Sequence, residues 1–252
     1  MMRKCDKTKH DCNSQGLTIL LVVPTWSTLT HLDCSNNKLT SLPPELGNLT
    51  VLEWFDCSNN QLTTLPPELG NLTALMWFYC SNNQLISLPP ELGKLTALMG
   101  FYCSWNQLTS LPPELGSLAA LVEFYCSNNQ LSALPSELGN LTALMGFYCS
   151  NNQLTSLPSE LGRLTNLSEF DCSHNKLTSL PEEMENLRTL KILNIFDTNI
   201  TAVPHGLLLL PELNVNLNNI LKDRYGSWEA MKHQLGHAQS RLSSTTRGMI
   251  IF

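Results

Sequence analysis

The sequence repeats itself every 23 residues along most of its length. The eleven residues from Leu52 to Leu62 recur at this spacing, and the matching segment from Leu29 to Leu39 precedes them in step. The later copies begin at Leu75, Leu98, Leu121, Leu144 and Leu167. A fixed period of 20–50 residues is typical of a solenoid, in which each unit buries its apolar face only by stacking on its neighbours. We therefore expect function on the surface of the stack rather than in a pocket of a compact fold.

Each unit carries an alternating segment, an asparagine and a proline-containing return leg. Phe55 and Cys57 are two residues apart, so they share one face of an extended strand and point inward. Asn60 recurs in every copy, and a column of such side chains can satisfy the buried loop backbone of neighbouring units. The return leg begins at Leu65-Pro66-Pro67, and proline favours the first turn of a short helix. The unit therefore predicts one strand and one short helical turn.

The pattern L-x-x-[LF]-x-[LC]-x-x-N-x-L, followed by L-P-x-x-L-x-x-L, resembles the leucine-rich repeat. The match covers roughly residues 17–220. The resemblance implies an α/β solenoid, a horseshoe with a concave parallel β-sheet and short helical or 3₁₀ segments on the convex side. The LPxxLxxL form of the 23-residue unit is similar to that of bacterial secreted leucine-rich-repeat effectors.

The two ends depart from the regular unit. Residues 1–28 are interpreted as an N-terminal cap with a degenerate first repeat one residue short, residues 29–220 as the repeats, and residues 221–252 as a capping helix and tail. Ser227 is predicted to cap a helix that covers the open end of the solenoid. The side of that helix facing the repeats is predicted to hold Trp228, Met231, Leu235, Ala238 and Leu242. The closing residues 249–252 resemble the C-terminal export signals of type IV secretion effectors, the alternative being a flexible tail or one that packs on the cap.

Charge and motifs exclude several functional classes. The net charge of −6 argues against nucleic acid or an anionic membrane surface as the main partner. No apolar run approaches the length of a transmembrane helix. The six histidines are scattered, and the sequence contains no nucleophile–base motif, phosphate-binding loop or metal signature. We therefore predict no catalytic residues, no metal and no cofactor.

Cysteines recur at one inward strand position per unit. This column consists of Cys34, Cys57, Cys80, Cys103, Cys126, Cys149 and Cys172. Neighbouring strands are about 4.8 Å apart, so distance alone does not exclude disulfides between these cysteines. Free thiols acting as small hydrophobic groups are the favoured interpretation. Unbridged cysteines favour a reducing compartment, so we expect a cytoplasmic protein, including one secreted into a host cytosol. Cys5 and Cys12 are expected in the N-terminal cap, where they could be exposed.

Aromatic residues occupy the strand positions that face away from the core. The position before each cysteine holds four consecutive tyrosines bracketed by aspartates, and Gly100 and Gly146 are expected to leave notches beside the tyrosines. Trp105 replaces the asparagine that precedes the asparagine column. The predicted partner-binding residues are Trp54, Asp56, Trp77, Tyr79, Met99, Tyr102, Trp105, Glu123, Tyr125, Tyr148 and Asp171.

Exposed Trp, Tyr and Met in one patch are typical of protein-binding surfaces, and the surrounding acidic groups favour a partner with a basic patch. The predicted function is therefore a monomeric, non-enzymatic module that binds a protein on its concave face, in the setting of a bacterial effector that inhibits or regulates that protein. A cytosolic scaffold without inhibitory activity and an extracellular receptor-like fragment remain alternatives. The tyrosines could instead have been copied by duplication, or could stabilise the sheet by cross-strand stacking.

Overall fold

Short parallel strands stack in chain order into one continuous sheet. The structure is a computed structural model that describes residues 8–235. Within that range every strand has three residues and pairs in register with the next, so that Phe55 lies opposite Phe78. The strands are β1 (Lys9–Asp11), β2 (His31–Asp33), β3 (Trp54–Asp56), β4 (Trp77–Tyr79), β5 (Gly100–Tyr102), β6 (Glu123–Tyr125), β7 (Gly146–Tyr148), β8 (Glu169–Asp171), β9 (Ile192–Asn194) and β10 (Asn214–Asn216). The predicted solenoid with a parallel sheet is confirmed.

The first strand belongs to the repeat series. Asp11 of β1 lies opposite Asp33 of β2, and the spacing between them is one residue shorter than the regular unit. Cys12 therefore occupies the inward position of this unit and is only 3% exposed. The expectation that Cys12 could be exposed is wrong for this reason, and Cys5 lies outside the described residues.

The return legs form five-residue 3₁₀ turns, followed near the C-terminal end by a short α-helix. Proline precedes or begins each turn because its fixed φ suits that position. Gly70 shows why successive turns stay in step, since a Cβ there would lie 2.4 Å from the backbone oxygen of Glu91. The 3₁₀ turns are Pro24–Thr28, Pro44–Asn48, Pro67–Asn71, Pro90–Lys94, Pro113–Ser117, Ser136–Asn140, Ser159–Arg163 and Glu182–Asn186, and the helix is α1 (His205–Leu208).

The core is one continuous column of leucine, phenylalanine and cysteine side chains. The phenylalanines of neighbouring strands stack with ring centroids 5.4–5.6 Å apart, from Phe55 to Phe170. All six phenylalanines are at most 1% exposed. Offset-stacked rings at this separation stabilise a core beyond the simple burial of apolar area.

Buried asparagines hold the loops of adjacent units together. The Asn60 side-chain amide donates to the carbonyls of Cys34 and Cys57 at 3.0 and 3.1 Å. Its side-chain oxygen accepts from the backbone N–H of Leu39 at 2.9 Å. The same pattern recurs along the column, so the predicted role of these asparagines is confirmed. Thr198 takes the next position of the column, where its hydroxyl donates to the carbonyl of Ile195 at 2.7 Å, and the buried Asn218 follows it.

A helix that the repeat pattern did not predict follows the last strand. Asn218 caps α2 (Asn219–Tyr225) by accepting from the backbone N–H of Leu221 at 2.9 Å. Because a helix replaces the usual loop, Leu221 is fully buried, whereas Ile220, which the pattern aligned with the buried leucine, is 37% exposed.

The predicted capping helix comes next and occupies residues 228–235 of the described chain. The Ser227 hydroxyl accepts from the backbone N–H of Ala230 at 3.2 Å. Trp228 and Met231 are buried, and the indole of Trp228 donates to the carbonyl of Leu213 at 2.7 Å. Leu235 packs against the core. Ala238, Leu242 and the apolar tail lie outside the described residues. Over residues 8–235, none of the helices has both the length and the apolar character needed to cross a bilayer.

Candidate interaction surface

Four tyrosines from consecutive strands form a stack on the sheet face opposite the core, here called the open face. The ring centroids of Tyr79, Tyr102, Tyr125 and Tyr148 are 4.4, 4.8 and 4.2 Å apart in that order, with interplanar angles of 12–16°. Trp54 extends the row, tilted, at 5.5 Å from Tyr79. Each ring covers the face of its neighbour, so this tyrosine stack presents ring edges and hydroxyl groups outward. Cross-strand stacking is therefore present, and it leaves the four tyrosines half-buried.

Two glutamates anchor the tyrosine hydroxyls from the next strand. Tyr102 donates a short hydrogen bond to the Glu123 carboxylate, and Tyr148 donates to Glu169 at 2.6 Å. Burial, followed by the hydrogen bond to the carboxylate, raises the pKa of both tyrosines well above the usual 10.0. Both hydroxyls are therefore protonated near neutral pH, and they fix the orientation of the two carboxylates.

The aspartates that bracket the tyrosine stack have a local structural role. Asp56 accepts from the backbone N–H of Ser58 at 2.7 Å, and Asp171 accepts from that of Ser173 at 3.0 Å. Burial raises the pKa of Asp56, although the hydrogen bonds from Ser58 oppose the shift. The recurring Asp-Cys-Ser order could have predicted this structural role, because an Asp side chain readily accepts a hydrogen bond from the backbone N–H two residues later.

The glycine positions beside the tyrosines are not open notches. A Cβ on Gly100 would lie 2.4 Å from the indole of Trp77. A Cβ on Gly146 would lie 3.0 Å from the ring of Tyr148. The expectation of vacant notches is wrong because large neighbouring rings lean over both glycines and bury them.

Exposed apolar side chains border the open face. Met76, Met99 and Met145 are 39%, 38% and 50% exposed, in a row beside the start of their strands. Trp105 lies after the end of β5 and is 60% exposed. Its φ of 57° is left-handed, at a position where most units have asparagine. Asparagine adopts this conformation readily, whereas a bulky aromatic residue rarely does. Trp105 is therefore both strained and exposed.

The carboxylates of the open face have no basic partner within the described chain. Over residues 8–235, the ion pairs are His174–Asp197 at 2.9 Å and Lys191–Glu212 at 3.2 Å, and neither involves Asp56, Glu123, Glu169 or Asp171. The predicted site residues thus lie on one strand face and its border, and the acidic members keep their charge uncompensated by a nearby cation.

The cysteine sulfurs form a buried row behind the open face. Eight free thiols, from Cys12 to Cys172, are buried, and several donate to the carbonyl of the next strand, as Cys34 does to Asp56 at 3.4 Å. Burial, followed by the charges of Asp33 and Asp11, raises the pKa of Cys12 to about 11, and burial raises the pKa of the deeper thiols further. Thiols held neutral in this way are poor nucleophiles. Within residues 8–235, no group of three potential metal ligands is present.

Comparison with known proteins identifies the repeat family. A model described as leucine-rich repeats in two copies matches residues 27–67 and 146–189, and a single leucine-rich-repeat model matches residues 120–141. The chain is a leucine-rich-repeat protein. In this fold the open face is the concave side of the solenoid.

Solved leucine-rich-repeat structures resemble this one over most of its length. A leucine-rich-repeat protein from Leptospira interrogans is 30% identical with a TM-score of 0.60, over 77% of this chain and 56% of that chain. The functional domain of InlJ from Listeria monocytogenes, which includes a cysteine ladder, is 25% identical with a TM-score of 0.60, over 85% of this chain and 54% of that one. A plant peptide hormone receptor in complex with RGF2 is 26% identical with a TM-score of 0.68, over 77% of this chain and 32% of the receptor.

This leucine-rich-repeat protein therefore spans less than two thirds of each of these three structures. No curated protein sequence matches it.

Proposed function

We propose that this leucine-rich-repeat protein is a non-enzymatic binding module that holds a protein partner against its open face. The observation that carries the proposal is Trp105, an exposed aromatic side chain kept in a backbone conformation that disfavours it. Strain at an exposed residue is commonly retained for function rather than for stability. Tryptophan is also prominent among the residues that dominate binding energy at protein interfaces.

The rest of the open face supports the same proposal. The methionine row adds adaptable apolar contacts, and the tyrosine stack offers a rigid surface that loses little side-chain entropy on binding. The uncompensated carboxylates favour a partner with a basic patch and increase its association rate. The plant peptide hormone receptor forms a complex with RGF2, which is consistent with a leucine-rich repeat that takes a polypeptide partner.

The proposed setting is a bacterial effector, monomeric on its own, that inhibits or regulates the protein it binds. The resemblance of the LPxxLxxL units to bacterial effectors supports this setting, and the buried free thiols favour a reducing cytosol, including that of a host. A scaffold without inhibitory activity would use the same face. An extracellular receptor-like fragment would instead require oxidised cysteines.

The test uses substitution of Trp105 by asparagine, the residue that most other units carry at this position. Immobilised wild-type protein and Trp105→Asn are compared for the proteins they retain from a lysate, and the unfolding midpoint of each is measured. We expect Trp105→Asn to lose the retained partner while its midpoint rises. Relief of the left-handed strain contributes about 1 kcal/mol, which corresponds to roughly 2–4 °C for a chain of this size.

The matched control is Ile86→Thr. Ile86 is 55% exposed in the connection between β4 and the next 3₁₀ turn, and Thr63 and Thr109 stand at the equivalent position in other units. This control should keep the partner. Retention of the same partner by both Trp105→Asn and Met99→Arg would contradict binding at the open face.

A further inference from the structure

The geometry points to a polyproline-type peptide segment with two arginines three residues apart as the element that the open face takes from its partner. The arginines would pair with Glu123 and Glu169, here called the glutamate pair, and the prolines would lie along the edges of the tyrosine stack. This inference rests on the proposed binding function and adds the chemistry and spacing of the bound segment.

The glutamate pair is positioned and has acceptor capacity left. Each carboxylate receives a tyrosine hydroxyl on one oxygen, Oε2. No other hydrogen bond or ion pair to these two carboxylates is found among residues 8–235. A carboxylate offers about four lone-pair sites on its two oxygens, so each can still accept from a guanidinium. Both side chains are partly buried beside aromatic rings, where a pairing cation is screened less than in open solvent.

The register of the sheet fixes the spacing between the two carboxylates. Glu123 and Glu169 occupy the same column in β6 and β8, with Gly146 of β7 between them. Two strand steps correspond to about 9–10 Å. Because Gly146 has no side chain, the ring of Tyr148 covers it and forms the surface between the two carboxylates.

Only one extended peptide conformation places side chains at this spacing on one face. A polyproline II helix has three residues per turn and a rise of 3.1 Å, so residues i and i+3 share a face at about 9.3 Å. In a β-strand, i and i+2 share a face at only about 6.7 Å, and i and i+3 point to opposite faces. Aromatic-lined surfaces also suit this conformation, because its proline rings pack on aromatic edges without further loss of backbone entropy.

The charge of the open face selects arginine over an acidic or neutral side chain. Asp56 and Asp171 flank the tyrosine stack on either side, and no Lys, Arg or His nitrogen lies within ion-pair distance of them or of the glutamate pair within residues 8–235. Arginine matches a carboxylate with two parallel hydrogen bonds, whereas lysine presents a point charge.

The experiment measures fluorescence polarisation of labelled proline-rich peptides at low ionic strength. The first peptide has two arginines separated by two prolines, and the second has the same composition with the arginines separated by one proline. A third peptide carries glutamates in place of the arginines. A fourth peptide is helical and has two arginines seven residues apart. The proteins are the wild type, Glu123→Gln with Glu169→Gln, and a control pair, Glu68→Gln with Glu114→Gln. The control glutamates are exposed, two units apart, and located in the 3₁₀ turns.

We expect the first peptide to bind the wild type about two- to fivefold more tightly than the second, because it can form one more exposed ion pair. The open-face pair of substitutions should remove that preference, and the control pair should keep it. Equal binding of the first two peptides, stronger binding of the helical peptide, or an undiminished preference in Glu123→Gln with Glu169→Gln would each overturn the inference. Absence of peptide binding alongside partner loss in Trp105→Asn would overturn the inference and leave the proposed binding function standing.

Discussion

At the scale of single residues, the same side chains support the fold and form the candidate surface. Tyr102 stacks between two neighbouring tyrosines and donates to Glu123. Asp56 contributes acidity to the open face and also accepts from the backbone of Ser58. Alanine substitutions in the tyrosine stack would therefore lower both stability and binding. Substitutions that keep the ring, or that restore the residue found in other units, separate the two effects.

Tyr102→Phe removes one hydroxyl from the tyrosine stack and keeps the ring. We expect it to lower the free energy of unfolding by about 1 kcal/mol near pH 8, because a hydrogen bond to a charged acceptor is lost. The folded-state pKa of Tyr102 lies above the usual 10.0. The Tyr102 hydroxyl therefore contributes its full share to the free energy of unfolding below pH 10. This contribution is lost as the pH rises through the folded-state pKa.

Urea unfolding of wild type and Tyr102→Phe at a series of alkaline pH values measures this effect. The difference in free energy between the two proteins should shrink as the pH rises above 10. Tyr125→Phe provides the control, since the Tyr125 hydroxyl has no hydrogen bond to a glutamate. An unchanged difference across the pH series would contradict the assigned role of the hydroxyl.

At the scale of elements, the strand and the 3₁₀ turn of each unit follow from the repeated pattern. The inward Phe55 and Cys57, the asparagine column and the proline-led turn were predictable because each rests on residues close in sequence. The helix at Asn219–Tyr225 was not, because the asparagine that caps it occupies the position of the loop asparagines. The filling of the glycine notches depends on rotamers of Trp77 and Tyr148, which spacing does not specify.

Gly70→Ala tests the close packing of successive 3₁₀ turns. The added methyl group would meet the backbone of Glu91 at 2.4 Å, so the turns must separate. We expect a loss of about 1–3 kcal/mol, typical of overpacking, in place of the small gain that Gly→Ala gives at an unstrained position. Thermal unfolding measures the change, and Asn71→Ala, at the exposed end of the same turn, should be nearly neutral. Equal stability of Gly70→Ala and wild type would show that the successive turns are not closely packed at Gly70.

At the scale of the whole molecule, the stack has one continuous core and a row of cysteines along it. Parallel strands bring equivalent cysteines to neighbouring positions, and their sulfurs are buried as free thiols. The periodic spacing predicted this row. The burial of Cys12 was not predicted, because the shortened first unit still pairs in register with the second.

Thiol counting tests the redox state of the whole chain. In the native protein, the eight thiols from Cys12 to Cys172 should not react with Ellman's reagent at pH 8, because burial keeps them neutral and inaccessible. After unfolding in guanidinium without reductant, all nine cysteines of the chain should react. A lower count would reveal disulfides and favour the extracellular alternative.

The in-register pairing of β6, β7 and β8 has a consequence for how such a surface can change. Removal of one complete unit, residues 124–146, would join Glu123 to Phe147 without altering the pattern of inward residues. The two carboxylates would then stand on adjacent strands, about 4.8 Å apart instead of twice that distance. Gain or loss of whole units by recombination therefore changes the distance between the two carboxylates in steps of one strand. The spacing of charges that a ligand must present changes with it, while the remaining units keep their fold.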